Sequence, residues 1–230
     1  MDYTLYGTTY GLALASGLNA YFPLLAFAVA ARWFHLYKVN PNFSFVTQTW
    51  FIALLTVLTI IDLVADKIPL IDTAWDAIHT AIRPIMGALV VAASYNQVHL
   101  QSMVGITGIS SVPNANIVIG AIRVMRVNTG ISLSFVGLMI LGAILALMVH
   151  TTKATTRLAS TATTFGLGNI VLSVIEDVGV LITTLLSLFA PIVMVILIAV
   201  FVVVFLLSLR LILRVFRRRR RSRFVLRDRY

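Results

Sequence analysis

Residues 191–209 form an unbroken apolar run in which Ser208 is the only polar side chain and none is charged. At 1.5 Å per residue, this run alone covers the roughly 30 Å hydrocarbon core of a bilayer. Five further, mainly apolar stretches precede it, and the whole chain is 60% hydrophobic and 11% charged, with a mean hydropathy of +0.98. Soluble domains carry about a quarter charged residues, and a fold of this size could not bury so much apolar surface. Soluble globular and disordered classes are thereby excluded. The sequence predicts an all-α polytopic membrane protein.

The net charge of +10 is unevenly placed. Residues 210–230 hold ten Arg and one Asp, or +9, while the remaining 209 residues amount to +1. This tail follows the last span directly, so the positive-inside rule puts it in the cytoplasm. Arg217, Arg218, Arg219, Arg220 and Arg221 are expected to contact anionic lipid. Nucleic-acid binding would need stacking or base-reading partners, which a bare Arg run does not offer. Six spans then place both termini on the cytoplasmic side of the membrane, leaving Arg32, Lys38, Arg123 and Arg126 outside as exceptions. Met1-Asp2-Tyr3-Thr4 has no basic region ahead of the first apolar run, which is read as a retained span rather than a signal peptide. The chain contains no cysteine, which removes disulfides, thiolate metal sites and thiol nucleophiles.

The expected spans are 8–31, 50–65, 73–98, 131–149, 170–189 and 191–209. In the first, Ser16-Gly17-Leu18-Asn19-Ala20-Tyr21-Phe22-Pro23 reads either as a kink in a packing helix or as a substrate-lining break. Pro69 must interrupt the chain after the second span, and Asp72 is placed to cap the third, which is expected to kink near Pro84. Gly166 and Gly168 suggest a break over 160–169. Between the two halves, 104–112 and 117–127 are rich in β-branched residues and flank the turn signal Pro113-Asn114-Ala115-Asn116. Residues 99–130 are therefore read as an extramembrane β-hairpin, or alternatively as a re-entrant segment. Each half has a long first span, a span ending in acids (Asp62/Asp66; Glu176/Asp177) and a helix with a proline (Pro84; Pro191). That pattern suggests two inverted three-helix repeats, 1–98 and 131–209, followed by the tail at 210–230.

Ten ionisable residues lie within or at the ends of the spans: Asp62, Asp66, Lys67, Asp72, Asp76, Arg83, Lys153, Arg157, Glu176 and Asp177. Asp76, His79 and Arg83 follow Asp72 by four, seven and eleven residues, which is one helical stripe, and His150, Lys153 and Arg157 form another. Charge at this depth is costly, about 2.5–3.5 kcal/mol per group at the bilayer centre on insertion scales, so pairing or a wet cavity is required. Asp76/Arg83 and Glu176/Arg157 are the pairings expected. The six acids outnumber the four bases by two, which favours cation or proton handling over a closed network that only fixes helix register.

These stretches resemble a family of uncharacterised bacterial integral membrane proteins known as domain of unknown function 4126. The likeness rests on Gly11-Leu12-Ala13-Leu14-Ala15-Ser16-Gly17-Leu18-Asn19-Ala20-Tyr21-Phe22-Pro23-Leu24-Leu25, on Ala65-Asp66-Lys67-Ile68-Pro69 with Asp72, Asp76 and Arg83-Pro84, and on His150, Lys153 and Arg157. Asn169, Ser173, Glu176-Asp177 and the basic tail complete it. This chain has Asn19 where family members often carry Arg, and its 99–130 segment is longer and more β-like. The resemblance implies no activity.

The leading expectation is a transporter or channel for a small polar or ionic solute. Its pathway would be lined by Asn19, Asp62, Asp66, Asp76, Arg83, Lys153, Arg157, Asn169, Glu176 and Asp177. The alternative is a non-catalytic accessory subunit of an envelope complex or a homo-oligomer, docking through 99–130. A third reading takes Asp62/Asp66 and Asp72/Asp76 as Mg²⁺-holding pairs of a membrane phosphotransferase, although Pro69 puts the pairs on different helices. His79 and His150 are proton relays or metal ligands on one reading and hydrogen-bonded structural residues on the other. No cofactor, metal or catalytic residue is assigned.

Overall fold

The computed structural model describes residues 3–68, 71–95, 133–164 and 167–227. Among the described residues every regular element is helical: α1 (Tyr3–Ala15), α2 (Phe22–Arg32), a 3₁₀ helix (Pro41–Thr47), α3 (Thr49–Ala65), α4 (Ile71–Ser94), α5 (Leu133–Thr164), α6 (Leu167–Phe189) and α7 (Pro191–Arg227). Helices α4 to α7 are each long and apolar enough to cross a membrane. A fifth span results if the 3₁₀ helix and α3, bent by 61° to one another, count as one. The protein is therefore multi-pass, with four or five candidate spans in place of the six expected. The hairpin or re-entrant segment expected at 99–130 lies outside the described residues, as does the side chain of Asp72, at the start of α4.

The span that is lost is the first. Residues 8–31 divide at 16–21 into α1 and α2. Helix α1 starts beside the junction of α6 and α7, where a Cβ on Gly7 would collide with the Pro191 carbonyl and one on Gly11 with Ser187 and Met194. At the same level, the Ser94 hydroxyl donates to Thr9 Oγ1 at 3.1 Å. The helix then runs inward until Gly17 lies against Ala146 and Val149 and Leu18 reaches Gly179. Helix α2 leads back out. Beyond it, the Tyr37 hydroxyl donates to the Leu188 carbonyl, and the Asn40 N–H to the Ala93 carbonyl at 2.9 Å. Entry and exit thus share the end of the bundle marked by Ser94, Leu188 and Pro191. The α1–α2 unit is a re-entrant helical hairpin and does not cross.

Local chemistry explains the turn. Asn19 Oδ1 accepts from the N–H groups of Tyr21 (3.0 Å) and Phe22 (2.9 Å), which closes the chain on itself between the helices. Pro23 sits in the first turn of α2, where a missing N–H costs nothing, so it starts a helix instead of kinking one. Leu12, Leu24, Phe27, Leu55 and Val90 are buried together and tie the hairpin to α3 and α4. Helices α4 and α5 approach closely through small residues. A Cβ on Gly87 would lie 2.8 Å from the Gly142 carbonyl, and one on Gly142 would lie 2.9 Å from the Gly87 carbonyl. Helix α7 leaves Ile196, Val200, Val203 and Leu207 exposed along its length, as a lipid-facing helix does.

Three other expectations change. Helix α5 continues through His150, Lys153 and Arg157 to Thr164, and α6 begins at Leu167, so the break expected over 160–169 is far shorter and Asn169 lies in the first turn of α6. Threonine hydroxyls on this part of α5 bond back to carbonyls three or four residues earlier, which satisfies them without ending the helix. Pro84 is inside α4, whereas Pro191 opens α7, and the broken α1–α2 unit has no counterpart in the unbroken α5. Finally, α1 begins beside the start of α7, and the described part of the Arg-rich stretch continues from the far end of α7, so these two segments lie at opposite ends of the bundle.

Candidate functional site: a buried ionic network at the broken helix

Two carbonyls at the break, those of Gly17 and Leu18, follow the last turn of α1 and need donors that hydrocarbon cannot supply. Arg83 Nη1 donates to the first and Lys153 Nζ to the second, each at 3.3 Å. These cations open a network that joins four helices. Lys153 lies 2.6 Å from Asp66 and 3.1 Å from Glu176. Arg157 reaches Glu176 at 2.5 Å, Asp66 at 3.3 Å and Asp76 at 3.4 Å. Arg83 pairs with Asp76 at 3.3 Å. Both expected pairs, Asp76/Arg83 and Arg157/Glu176, are present. Among the described residues, three bases and three acids compensate one another inside the protein, and the side chains of all six are buried or nearly so. A single uncompensated charge at this depth would cost several kcal/mol.

The depth follows from the helices. Glu176 precedes Phe189 by thirteen residues, or about 20 Å of helix, and Arg210 follows Pro191 by nineteen, or about 29 Å. The network therefore lies about 10 Å inside the level at which the apolar part of α7 ends.

His150 extends the network. Its Nδ1 lies 2.6 Å from Arg83 Nη1, which can only donate, so Nδ1 is an unprotonated acceptor. Its Nε2 then carries the hydrogen and donates to Thr80 Oγ1 at 3.0 Å, while the Thr80 hydroxyl donates to the Asp76 carbonyl. The imidazole is neutral and fixed in one tautomer. Beside it, between α4, α5 and the start of α6, is a cleft of about 200 Å³ lined by Asp76, Thr80, His150, Arg157, Thr161 and Asn169 together with the apolar Ala77, Ala154 and Leu158.

Of the ten pathway residues expected, six form the network: Asp66, Asp76, Arg83, Lys153, Arg157 and Glu176. Asn19 shapes the break and Asn169 lines the cleft. Asp62 is fully buried but set apart, bonded to Trp75 Nε1 at 2.7 Å and 3.5 Å from His79. Asp177 pairs with Lys67 at 2.5 Å at the rim, where both side chains are partly exposed. Asp177→Asn is therefore expected to shift thermal stability by only about 0–1 kcal/mol, as for an exposed pair, measured by unfolding in detergent. Asp62 and Asp66 point to different partners, and among the described residues no group of three or more His, Cys, Asp or Glu is placed to hold a metal ion. The carboxylate pair of the phosphotransferase reading thus has no common focus. Sequence reasoning missed Trp75, Thr80 and the two carbonyls. Trp75 could have been found from its place one turn before His79; the carbonyls carry no sequence signal.

A bundle of apolar helices enclosing paired charges and a helix broken at membrane depth defines a multi-pass helical membrane protein. The profile of one family, domain of unknown function (DUF4126), matches residues 7–129 and 111–211, and the chain belongs to that family. No curated protein and no solved structure matches the chain.

Proposed function

We propose that the protein is a transporter or channel for a small polar or ionic solute, which passes beside the broken hairpin. The observation that carries this reading is the break at 16–21, held by Arg83 and Lys153, with Arg83 joined through His150 to a cleft into which Asp76, Arg157 and Asn169 also face. Non-helical backbone at membrane depth is tolerated where it is buried in protein or lines a cavity, and transporters commonly bind solutes at such interruptions. Asp76, His150, Arg157 and Asn169 would meet the solute, while Asp66, Lys153 and Glu176 hold Arg157 and the hairpin in place. The positive-inside rule orients the Arg tail to the cytoplasm of an inner membrane, with Arg217–Arg221 on anionic lipid, the cleft nearer the cytoplasmic face and the N-terminus on the far side.

In proteoliposomes, protein of this kind should pass at least one of Na⁺, K⁺, H⁺ and chloride faster than protein-free vesicles. Asp66→Asn and Arg157→Gln should each return that flux to the protein-free rate. Full flux in both folded variants would overturn the assignment, and none of the four ions passing through the wild type would overturn its ionic form.

The accessory-subunit reading has its own support. The network acids are paired, and α7 exposes nearly all its apolar surface, which suits a partner helix as well as lipid. On that reading a stoichiometric partner co-purifies and is lost when 99–130 is deleted.

A further inference from the structure

Asp62 is the acid that the network leaves over. Arg83, Lys153 and Arg157 face Asp66, Asp76 and Glu176, and among the described residues no Lys or Arg pairs with Asp62. It is fully buried, one turn before Asp66. Its Oδ1 accepts from Trp75 Nε1 at 2.7 Å, and its Oδ2 has no hydrogen-bond partner. On the facing turn of α4, His79 is fully buried as well. Its Nδ1 lies 2.9 Å from the Trp75 carbonyl, which can only accept, so Nδ1 carries a hydrogen. Its Nε2 has no hydrogen-bond partner and lies 3.5 Å from Asp62 Oδ1. The groups around the pair are Tyr21, which caps the start of α2, edge-on to the imidazole at 5.7 Å, the Trp75 ring at 4.8 Å, and, farther out, Asp66 at the end of α3, Arg83 of α4 and His150 of α5.

We propose that Asp62 and His79 form a proton-binding site that holds one exchangeable proton between a carboxylate oxygen and Nε2. With the proton bound, the pair is an imidazolium beside a carboxylate or a neutral imidazole beside a carboxylic acid. The two forms interconvert by moving that proton from nitrogen to oxygen, and both are neutral overall. When the proton leaves, a bare carboxylate remains one turn from Asp66, and its field falls on the Arg83 end of the network. Proton release at Asp62 is thereby coupled to the groups that hold the Gly17 carbonyl and the cleft. Two ligand atoms 3.5 Å apart, with no third His, Cys, Asp or Glu beside them among the described residues, suit a proton better than a metal ion. In naming the coupling ion this inference rests on the transport reading; as a protonation site it does not.

Histidine-selective ¹⁵N NMR of the full chain in lipid tests it, with the His79 signals assigned through His79→Gln. At neutral pH, His79 Nε2 should be protonated or proton-sharing. In Asp62→Asn it should become unprotonated while the Nδ1–H signal persists, and Asp62→Glu should restore the wild-type pattern. If Asp62→Asn does not fold, the wild-type titration decides: His79 Nε2 and one Asp carboxyl carbon should change together over the same pH range. A wild-type Nε2 that neither carries a proton nor accepts one from Asp62, separate titration of the two groups, or a His79 shift on adding NaCl or KCl at fixed pH would overturn the proposal. A proton site seen in a protein that carries no flux would leave it standing and count only against transport.

Discussion

Arg157→Met is expected to lower the stability of the folded protein by about 3–5 kcal/mol, the range found when one partner of a buried ion pair is removed. The guanidinium lies within 2.5–3.4 Å of Glu176, Asp66 and Asp76. Removing it leaves three acids facing Lys153 and Arg83 alone, in surroundings where water cannot make up the difference. Arg157→Lys should recover only part of the loss, because one ammonium cannot span acids contributed by α3, α4 and α6. Arg157→Met combined with Glu176→Gln should be more stable than Arg157→Met alone, since it restores the count of opposite charges. Thermal unfolding in detergent checks all three. An unchanged midpoint for Arg157→Met would mean that the acids are neutralised by something other than this side chain.

The second large effect is expected at Gly17. A Cβ there would lie 2.4 Å from the Ala146 carbonyl and 2.5 Å from Val149 Cβ. One of those contacts is backbone, so α1 must move away from α5. Overpacking typically costs about 1–3 kcal/mol, and Gly17→Val should fall at the upper end. It should also pull the Gly17 carbonyl away from Arg83 and reshape the break. On the transport reading, flux in proteoliposomes should therefore fall more than the melting temperature does, with Gly17→Ala intermediate in both. If Gly17→Val proved as stable and as active as the wild type, the close approach of α1 to α5 would be wrong.

Much of the site could be read from spacing. Asp76, His79 and Arg83 share one stripe of α4, and His150, Lys153 and Arg157 share one of α5, because both stretches are helical and charge at this depth turns inward. The pairing of Arg157 with Glu176 follows once α5 and α6 are antiparallel neighbours. The hairpin was not legible for a physical reason. Residues 8–31 are mainly apolar and long enough to cross, and hydropathy does not distinguish one span from two half-spans. What distinguishes them is contact with residues distant in sequence: Gly17 with Arg83, Leu18 with Lys153, Tyr37 with Leu188. Residues 160–169 show the opposite error. Gly166 and Gly168 read as a break, yet Gly168 lies within α6, where its lack of a side chain lets it sit against Ser160 and Thr164. Asp62 and Asp66 look equivalent in sequence, but only Asp66 reaches the cations of α5.

The path of the chain through α1 and α2 fixes where the break lies and which groups can reach it, so sidedness is the most direct test. The natural sequence has no cysteine, and single-cysteine variants can be labelled without background. Thr4→Cys and Leu36→Cys should react with a membrane-impermeant maleimide from the same side of oriented vesicles, and Ser222→Cys from the other. Labelling of Thr4→Cys and Leu36→Cys from opposite sides would contradict the re-entrant hairpin and, with it, the site built around its break.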